Sequence, residues 1–399
     1  MLTDSCGRSR GSRRVTRGTL AVLICGLLVV ILSAATGAAP ASRTFEWGRP
    51  VAPGGPGLSP TGVDVTGETT IDAGNASDLA IMPGGAVEGW GDTIVARASM
   101  TPVPIAKLTH VVQVADGDHS FVALEAPAGI PQNGCPTDTT VWTWGDNIDN
   151  DLGLNSTTGV YTRPVKLTSL DGVGVVQVVA ASWHMFALTC SGKVYVWGAN
   201  ASDDLGMGSV GEEPVPVENP YLTSLTGGSS QGVLLDTGSF GADILVGGKA
   251  YGWGNNRQLE CGCGTTATTV AYPTAVHQTV PFTFIDSGGD FDYDGHTLAV
   301  DSSGRVWCWG DNSSGQCGLG TTSTVATPTR VPGLPTITTA RAGGQQSLYL
   351  DSSGNVWTSG SNEFGEAGDG SNVDELHVVK VLSGVTMISA GAQHSLAAG

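Results

Sequence analysis

The densest run of chemistry-bearing side chains in this 399-residue chain is Asp290-Phe291-Asp292-Tyr293-Asp294-Gly295. Three carboxylates at alternate positions before a glycine place hard oxygen ligands on one side of a tight loop, a spacing that suits Ca²⁺. Asp301 falls at position twelve of an EF-type loop, but residues 296–300 are needed for a strand. That leaves either a non-helical calcium loop built on Asp290, Asp292 and Asp294, or a solvated acidic turn. Gly228-Ser229-Ser230-Gln231-Gly232 fits G-x-S-x-G. A nucleophile elbow, however, requires a strand–turn–helix setting, and this run lies in a Gly/Ser-rich link. Cys261-Gly262-Cys263 lacks the spacing and the second ligand pair of a zinc site. His119, His184, His296 and His394 recur at one place in a repeat, on separate units, and are read as hydrogen-bonded packing residues. No residue is assigned a catalytic role, and no cofactor is assigned beyond the calcium alternative.

The elements that must position these side chains are set by a repeat. Trp-Gly recurs at Trp47, Trp90, Trp144, Trp197, Trp253 and Trp309, with Ser359-Gly360 as a degenerate seventh copy. Small-residue turns recur in step, at Ala73-Gly74, Asp116-Gly117, Ala180-Ala181, Thr237-Gly238, Gly288-Gly289, Ala342-Gly343 and Ala390-Gly391. A period of about 50 residues marks a repeat architecture. Residues 284–320 read as an apolar strand, a Gly turn, a second strand, an Asp-Ser-Ser-Gly hairpin, a strand ending at Trp309-Gly310, and an outer run toward Pro328. No window of residues 43–399 shows a sustained helical period. A four-stranded unit of this size cannot bury both faces alone, whereas seven can close into a ring. The chain ends on the first half of a repeat and resumes, after its leader, at residues 43–48 with the missing second half. The expected fold is all-β: a seven-bladed β-propeller of four-stranded blades, closed by N- and C-terminal strands in one blade.

Ile388-Ser-Ala-Gly-Ala-Gln-His-Ser-Leu-Ala, Gly192-Lys-Val-Tyr-Val-Trp-Gly and Gly315-Gln-Cys-Gly-Leu-Gly, recurring in phase over 43–399, resemble the repeat of the regulator of chromosome condensation (RCC1) family. The resemblance implies a seven-bladed propeller. Gly241 and Gln346 depart from the family's His, and Ser359 from its Trp.

Residues 1–42 differ in kind. Five Arg precede a 16-residue apolar run, Leu20 to Ala35, and then small residues. This is the pattern of a secretory signal peptide (1–41), with cleavage expected between about 37 and 41. The apolar run is short for a membrane span, which needs about 20 residues. The leader carries five Arg and one Asp, so the chain's −18 becomes −22 once it is removed. Such an acidic surface repels phosphate backbones, which argues against nucleic acid as a partner. Six Cys remain in the exported part, and an even count there suggests disulfides. Cys135 and Cys190 occupy equivalent hairpins of neighbouring repeats and are the expected pair. Cys261 and Cys317 stand where other copies carry Leu, and are read as small apolar fillers.

The recurrent Trp residues are core. Trp183, Phe240, Phe291 and Tyr293 are not dictated by the repeat; they lie in the variable turns between the first two strands, where an interface would use them. The expectation is a secreted, monomeric, non-enzymatic module that binds a protein or a cell-envelope polymer through that rim. Two alternatives remain. One is an inhibitor, since the layout is similar to secreted bacterial propellers that inhibit β-lactamase through aromatics in these turns. The other is a hydrolase or lyase built on a propeller and acting on cell-wall or extracellular polymer.

Overall fold

A computed structural model describes residues 43–49, 57–63, 65–92, 99–131, 134–136, 138–156, 158–209, 211–239, 241–289 and 295–399. The leader, Phe240 and the Asp290–Asp294 run lie outside the described residues. Seven antiparallel four-stranded sheets form seven blades, each numbered from its innermost strand outward. Blade 1 is Thr70–Ala73, Ser77–Ile81, Val87–Gly91 and Ser99–Pro104; blade 2 is Val111–Asp116, Ser120–Glu125, Thr140–Asp146 and Val160–Lys166. Blade 3 is Val175–Ala180, His184–Thr189, Val194–Gly198 and Glu213–Glu218; blade 4 is Val233–Gly238, Gly241–Val246, Lys249–Asn255 and Thr269–Ala275. Blade 5 is Phe282–Ser287, His296–Asp301, Val306–Gly310 and Val325–Arg330; blade 6 is Ile337–Ala342, Gln346–Asp351, Asn355–Gly360 and Glu375–Ser383. Blade 7 joins both ends of the chain: Met387–Ala390, His394–Ala398, then Thr44–Gly48 and Thr61–Val63. Thr44–Gly48 pairs antiparallel with His394–Ala398 over five residues, so two sheet edges are consumed in closing the ring. A single seven-residue α-helix, Pro220–Thr226, is described; the Asn219 side chain caps it by accepting from the amides of Tyr221 and Leu222.

The apolar cores lie between blades. Leu79, Ile81 and Val87 of blade 1 pack on Val114, Phe121 and Trp144 of blade 2, and Trp47 of blade 7 packs on Leu348 and Val356 of blade 6. Three of the indoles donate to the preceding blade's outer loop. Trp253 Nε1 donates to the Asp204 carbonyl (2.8 Å), Trp309 Nε1 to Glu260 (2.9 Å) and Trp47 Nε1 to Glu366 (2.7 Å). The floor beneath the indole must be glycine. A Cβ on Gly206, itself at φ +64°, would stand 2.8 Å from the Trp253 ring. In five of the seven copies an Asn three residues past the Trp position holds that loop. Asn147, Asn200, Asn256, Asn312 and Asn362 accept from the amide five residues on, at 2.9–3.1 Å.

Blade 6 solves the loss of its Trp internally. Ser359 Oγ donates to the Gln316 carbonyl (2.9 Å), the place an indole N–H takes elsewhere. The vacated volume is filled by Tyr349, fully buried, whose hydroxyl lies 3.1 Å from Ser359 Oγ. At Tyr349's register position five blades carry Ala (80, 123, 187, 299 and 397) and blade 4 carries Ile244.

All six described Cys are bonded. Cys135–Cys190 ties the hairpin of blade 2 to that of blade 3. Cys261–Cys263 and Cys308–Cys317 are also pairs, which corrects the reading of Cys261 and Cys317 as free apolar fillers. They are buried like fillers, but a neighbour at sequence separation 2 or 9 comes within bonding reach once the outer loop folds back.

Candidate functional site

One face of the ring gathers two sets of turns. In six blades the amide that follows the Trp-Gly or Ser-Gly step donates to a carbonyl in that blade's inner turn: Asp92 to Ala76, Asp146 to His119, Ala199 to Trp183, Asp311 to Gly295, Ser361 to Gln345 and Arg49 to Gln393, all at 2.7–2.8 Å. The inner turns and the loops leaving the third strands therefore form a common rim. Trp183 lies on it, half-buried. Phe240, Phe291, Tyr293, Asp290, Asp292 and Asp294 fall outside the described residues, so only Trp183 of the proposed aromatic set is located here. Among the described residues no three His, Cys, Asp or Glu side chains group so as to hold a metal ion. Two rim features were missed from sequence. Arg49 lies over the Phe364 ring, 5.4 Å from its centroid, and Ile148 is 70% exposed in the loop after blade 2's third strand. The available signal was an apolar side chain interrupting a polar loop in both places.

The repeat histidines are spent on joining blades. His184 Nε2 lies 2.7 Å from Thr237 Oγ1 of blade 4, His296 Nε2 lies 2.8 Å from Ser347 Oγ of blade 6, and His394 Nε2 lies 2.8 Å from Asp78 Oδ1 of blade 1. Burial drives the pKa of His184 down to about 3; burial, partly offset by Asp311, drives that of His296 to about 4. Both are neutral at physiological pH and are poor proton shuttles. His119 does not share their place. Ser120 pairs with Gly145 as His184 pairs with Gly198; the two inner turns are of equal length, and His119 stands one place earlier, where blade 3 carries Trp183. His119 is instead 41% exposed on the rim. Gly241 leaves the equivalent place empty in blade 4, where a cavity of about 30 Å³ is lined by Gly241, Asp243, Gly288 and Thr297.

The innermost strands enclose a central channel of about 250 Å³. Its carboxylates look catalytic in number, but most are committed. At six of seven junctions a side chain on one inner strand accepts an amide of the next. Asp72 takes the amide of Asp116 (2.8 Å), Gln113 that of Val178 (3.0 Å) and Gln177 that of Leu235 (3.2 Å). Asp236 takes that of Ser287 (2.5 Å), Asp286 that of Ala342 (2.7 Å) and Ser389 that of Ala73 (3.1 Å). These bonds satisfy the inner edges that a sheet would otherwise leave open. Burial raises the pKa of Asp72 to about 6 and that of Asp236 well above the carboxylate range; for Asp236 the Asp286 charge adds to burial. Arg341 spans Asp286 at 2.5 Å and lies over Phe284. The Gly228–Gly232 run follows the helix and precedes blade 4, the reverse of a nucleophile elbow.

The family described as the regulator of chromosome condensation (RCC1) repeat matches residues 138–188 and 303–350, and a second RCC1 repeat family matches 175–203. The human E3 ubiquitin-protein ligase HERC2 is 32% identical over 198 residues, covering 49% of this chain and 4% of its own. The ultraviolet-B receptor UVR8 of Arabidopsis thaliana is 27% identical over 252 residues, 61% of this chain and 52% of its own. The chain thus spans about half or less of these relatives' lengths. Among solved structures, human WBSCR16 aligns with a TM-score of 0.75 at 20% identity, covering 90% of this chain and 99% of that one. Prp20p of Saccharomyces cerevisiae aligns at 0.71 and 18%, covering 91% and 92%; its structure was described together with binding to Gsp1p and histones.

Proposed function

We propose that this chain, an RCC1-repeat seven-bladed β-propeller, is an exported, non-enzymatic module that binds a protein through the rim carrying Trp183. The observation that carries this reading is where the reactive groups go. Three repeat histidines and five channel-facing acids or amides are consumed in bonds between blades. The rim turns, by contrast, present Trp183, half-buried, and Ile148, 70% exposed. Export is supported by the leader pattern of residues 1–41 and by three disulfides, bonds that persist in oxidising compartments. A protein partner is favoured by the structural neighbour Prp20p, whose described partners are proteins, and nucleic acid is disfavoured by the −22 charge of the exported part.

The test is affinity capture with residues 43–399 as bait, followed by titration of the captured partner. Trp183→Ala should weaken binding about 30-fold, the size of a 2 kcal/mol hot spot, with an unchanged melting curve. Binding that ignores Trp183→Ala and is lost on changing the opposite rim would place the interface on the wrong face.

A further inference from the structure

Resting on that rim reading, we propose that the channel mouth between blades 1 and 2 receives a basic side chain of the partner, an arginine guanidinium seated against Asp118. Asp118 stands in blade 2's inner turn and lines the channel mouth, only 5% exposed. Its neighbours show a division of labour. Asp72 is engaged by the Asp116 amide; Asp116 accepts from Ser77 Oγ (2.6 Å) and from the Asp118 amide (3.1 Å). Both carboxylates hold the turn. Asp118 does not: Asn75 serves its carboxylate once, and its Oδ1 is buried with no hydrogen-bond partner. The His119 side chain is adjacent, but its Nε2 lies 3.9 Å away, beyond hydrogen-bond reach. An unpartnered buried carboxylate oxygen costs stability, and such a group is retained where something else completes it.

The surroundings specify the missing group. Burial raises the Asp118 pKa to about 6, and the charges of Asp146 and Asp92 raise it further against the pull of His119. Asp92 and Asp146 stand at the ends of the third strands of blades 1 and 2, partly exposed, and neither is in an ion pair among the described residues. The mouth is therefore one buried acceptor backed by Asp116 and flanked by two half-open carboxylates. A planar fork of N–H donors meets both parts at once: one edge on Asp118 Oδ1, the other toward Asp92 or Asp146. A divalent cation is a poorer match, since no three carboxylates among the described residues converge for it.

The experiment is isothermal titration of the mature chain with a capped hexapeptide of alternating Gly and Arg, and with the same peptide carrying citrulline, which keeps the shape and removes the charge. The Arg peptide should bind saturably at one site and the citrulline peptide not at all. Asp118→Asn should weaken binding at least tenfold while melting at or above the wild-type temperature. Asp138→Asn, the same charge change at an exposed residue just before blade 2's third strand, should leave binding within twofold. Equal binding by wild type and Asp118→Asn, equal loss in both variants, or no saturable binding overturns the proposal. A captured partner that ignores Asp118→Asn but loses affinity on Trp183→Ala would overturn this site and leave the rim reading standing.

Discussion

Blade 6 allows a sharp test of how the repeat tolerates losing its Trp. Tyr349 and Ser359 together replace the Ala and Trp that stand, for example, at Ala299 and Trp309 of blade 5. Tyr349→Ala alone empties a fully buried aromatic site and should cost about 3–5 kcal/mol. Ser359→Trp alone forces an indole into volume the phenol already fills, and should cost about 1–3 kcal/mol or more. The double variant rebuilds the arrangement of the other blades. Gln316 offers the carbonyl that Glu260 offers Trp309, and Gly318, at φ +62°, keeps the floor on which an indole rests. Its total cost should fall within about 1–2 kcal/mol of wild type, a coupling of about 3 kcal/mol between the sites. The assay is equilibrium urea unfolding of all four proteins with disulfides intact. If the double variant loses the sum of the two single losses, Tyr349 is not the substitute for the missing Trp and the reasoning fails.

Three further outcomes are expected. Burial is the main cause holding Asp118 at about 6, Asp204 and Asp243 at about 7 and Asp151 at about 8, so the native chain keeps protons that the unfolded chain has released. Stability must then fall as pH rises from 6 to 8, and the melting temperature at pH 5.5 should exceed that at pH 8 by several degrees, with Asp151→Asn flattening the slope; a flat or rising profile contradicts this. Below about 6.5 the neutral buried His184 and His296 act in the opposite sense and limit the gain. Gly241→His should stabilise by about 1 kcal/mol, because Thr297 stands at the register place from which Asp78 and Ser347 meet the repeat histidines, and the cavity is empty; a lower melting temperature would mean that the Trp253 carbonyl, 3.0 Å from the new Cβ, cannot yield. Deleting Thr44–Gly48 should leave the outer edge of the His394–Ala398 strand unpaired and cause aggregation, and a soluble, cooperatively melting deletion would contradict the closure drawn from that pairing.

The ring was legible in sequence because its determinants are local and repeated. Trp-Gly at a fixed offset from a Gly turn reports a strand, a turn and a packing face in nearly every copy, so seven copies, one of them split between the ends, specify seven blades and their closure. The Cys135 and Cys190 hairpins could be matched for the same reason: equivalent places in adjacent copies are adjacent in space. What the sequence could not decide were the matters set by one-residue registers and by neighbours distant in the chain. His119 carries the motif letter, but Ser120 carries the position: in a turn of the same length the His stands one residue early, and only the strand pairing shows which residue faces the next blade. Ser359 reads as a bare loss of the Trp until the strands align it with Tyr349 on one face, within hydrogen-bond reach. The roles of the carboxylates separate only in three dimensions. Asp72, Asp116 and Asp118 look alike along the chain, yet two meet backbone or hydroxyl donors and one is left buried without a partner for its Oδ1. Partner geometry and burial are properties of the closed ring, and no single repeat contains them.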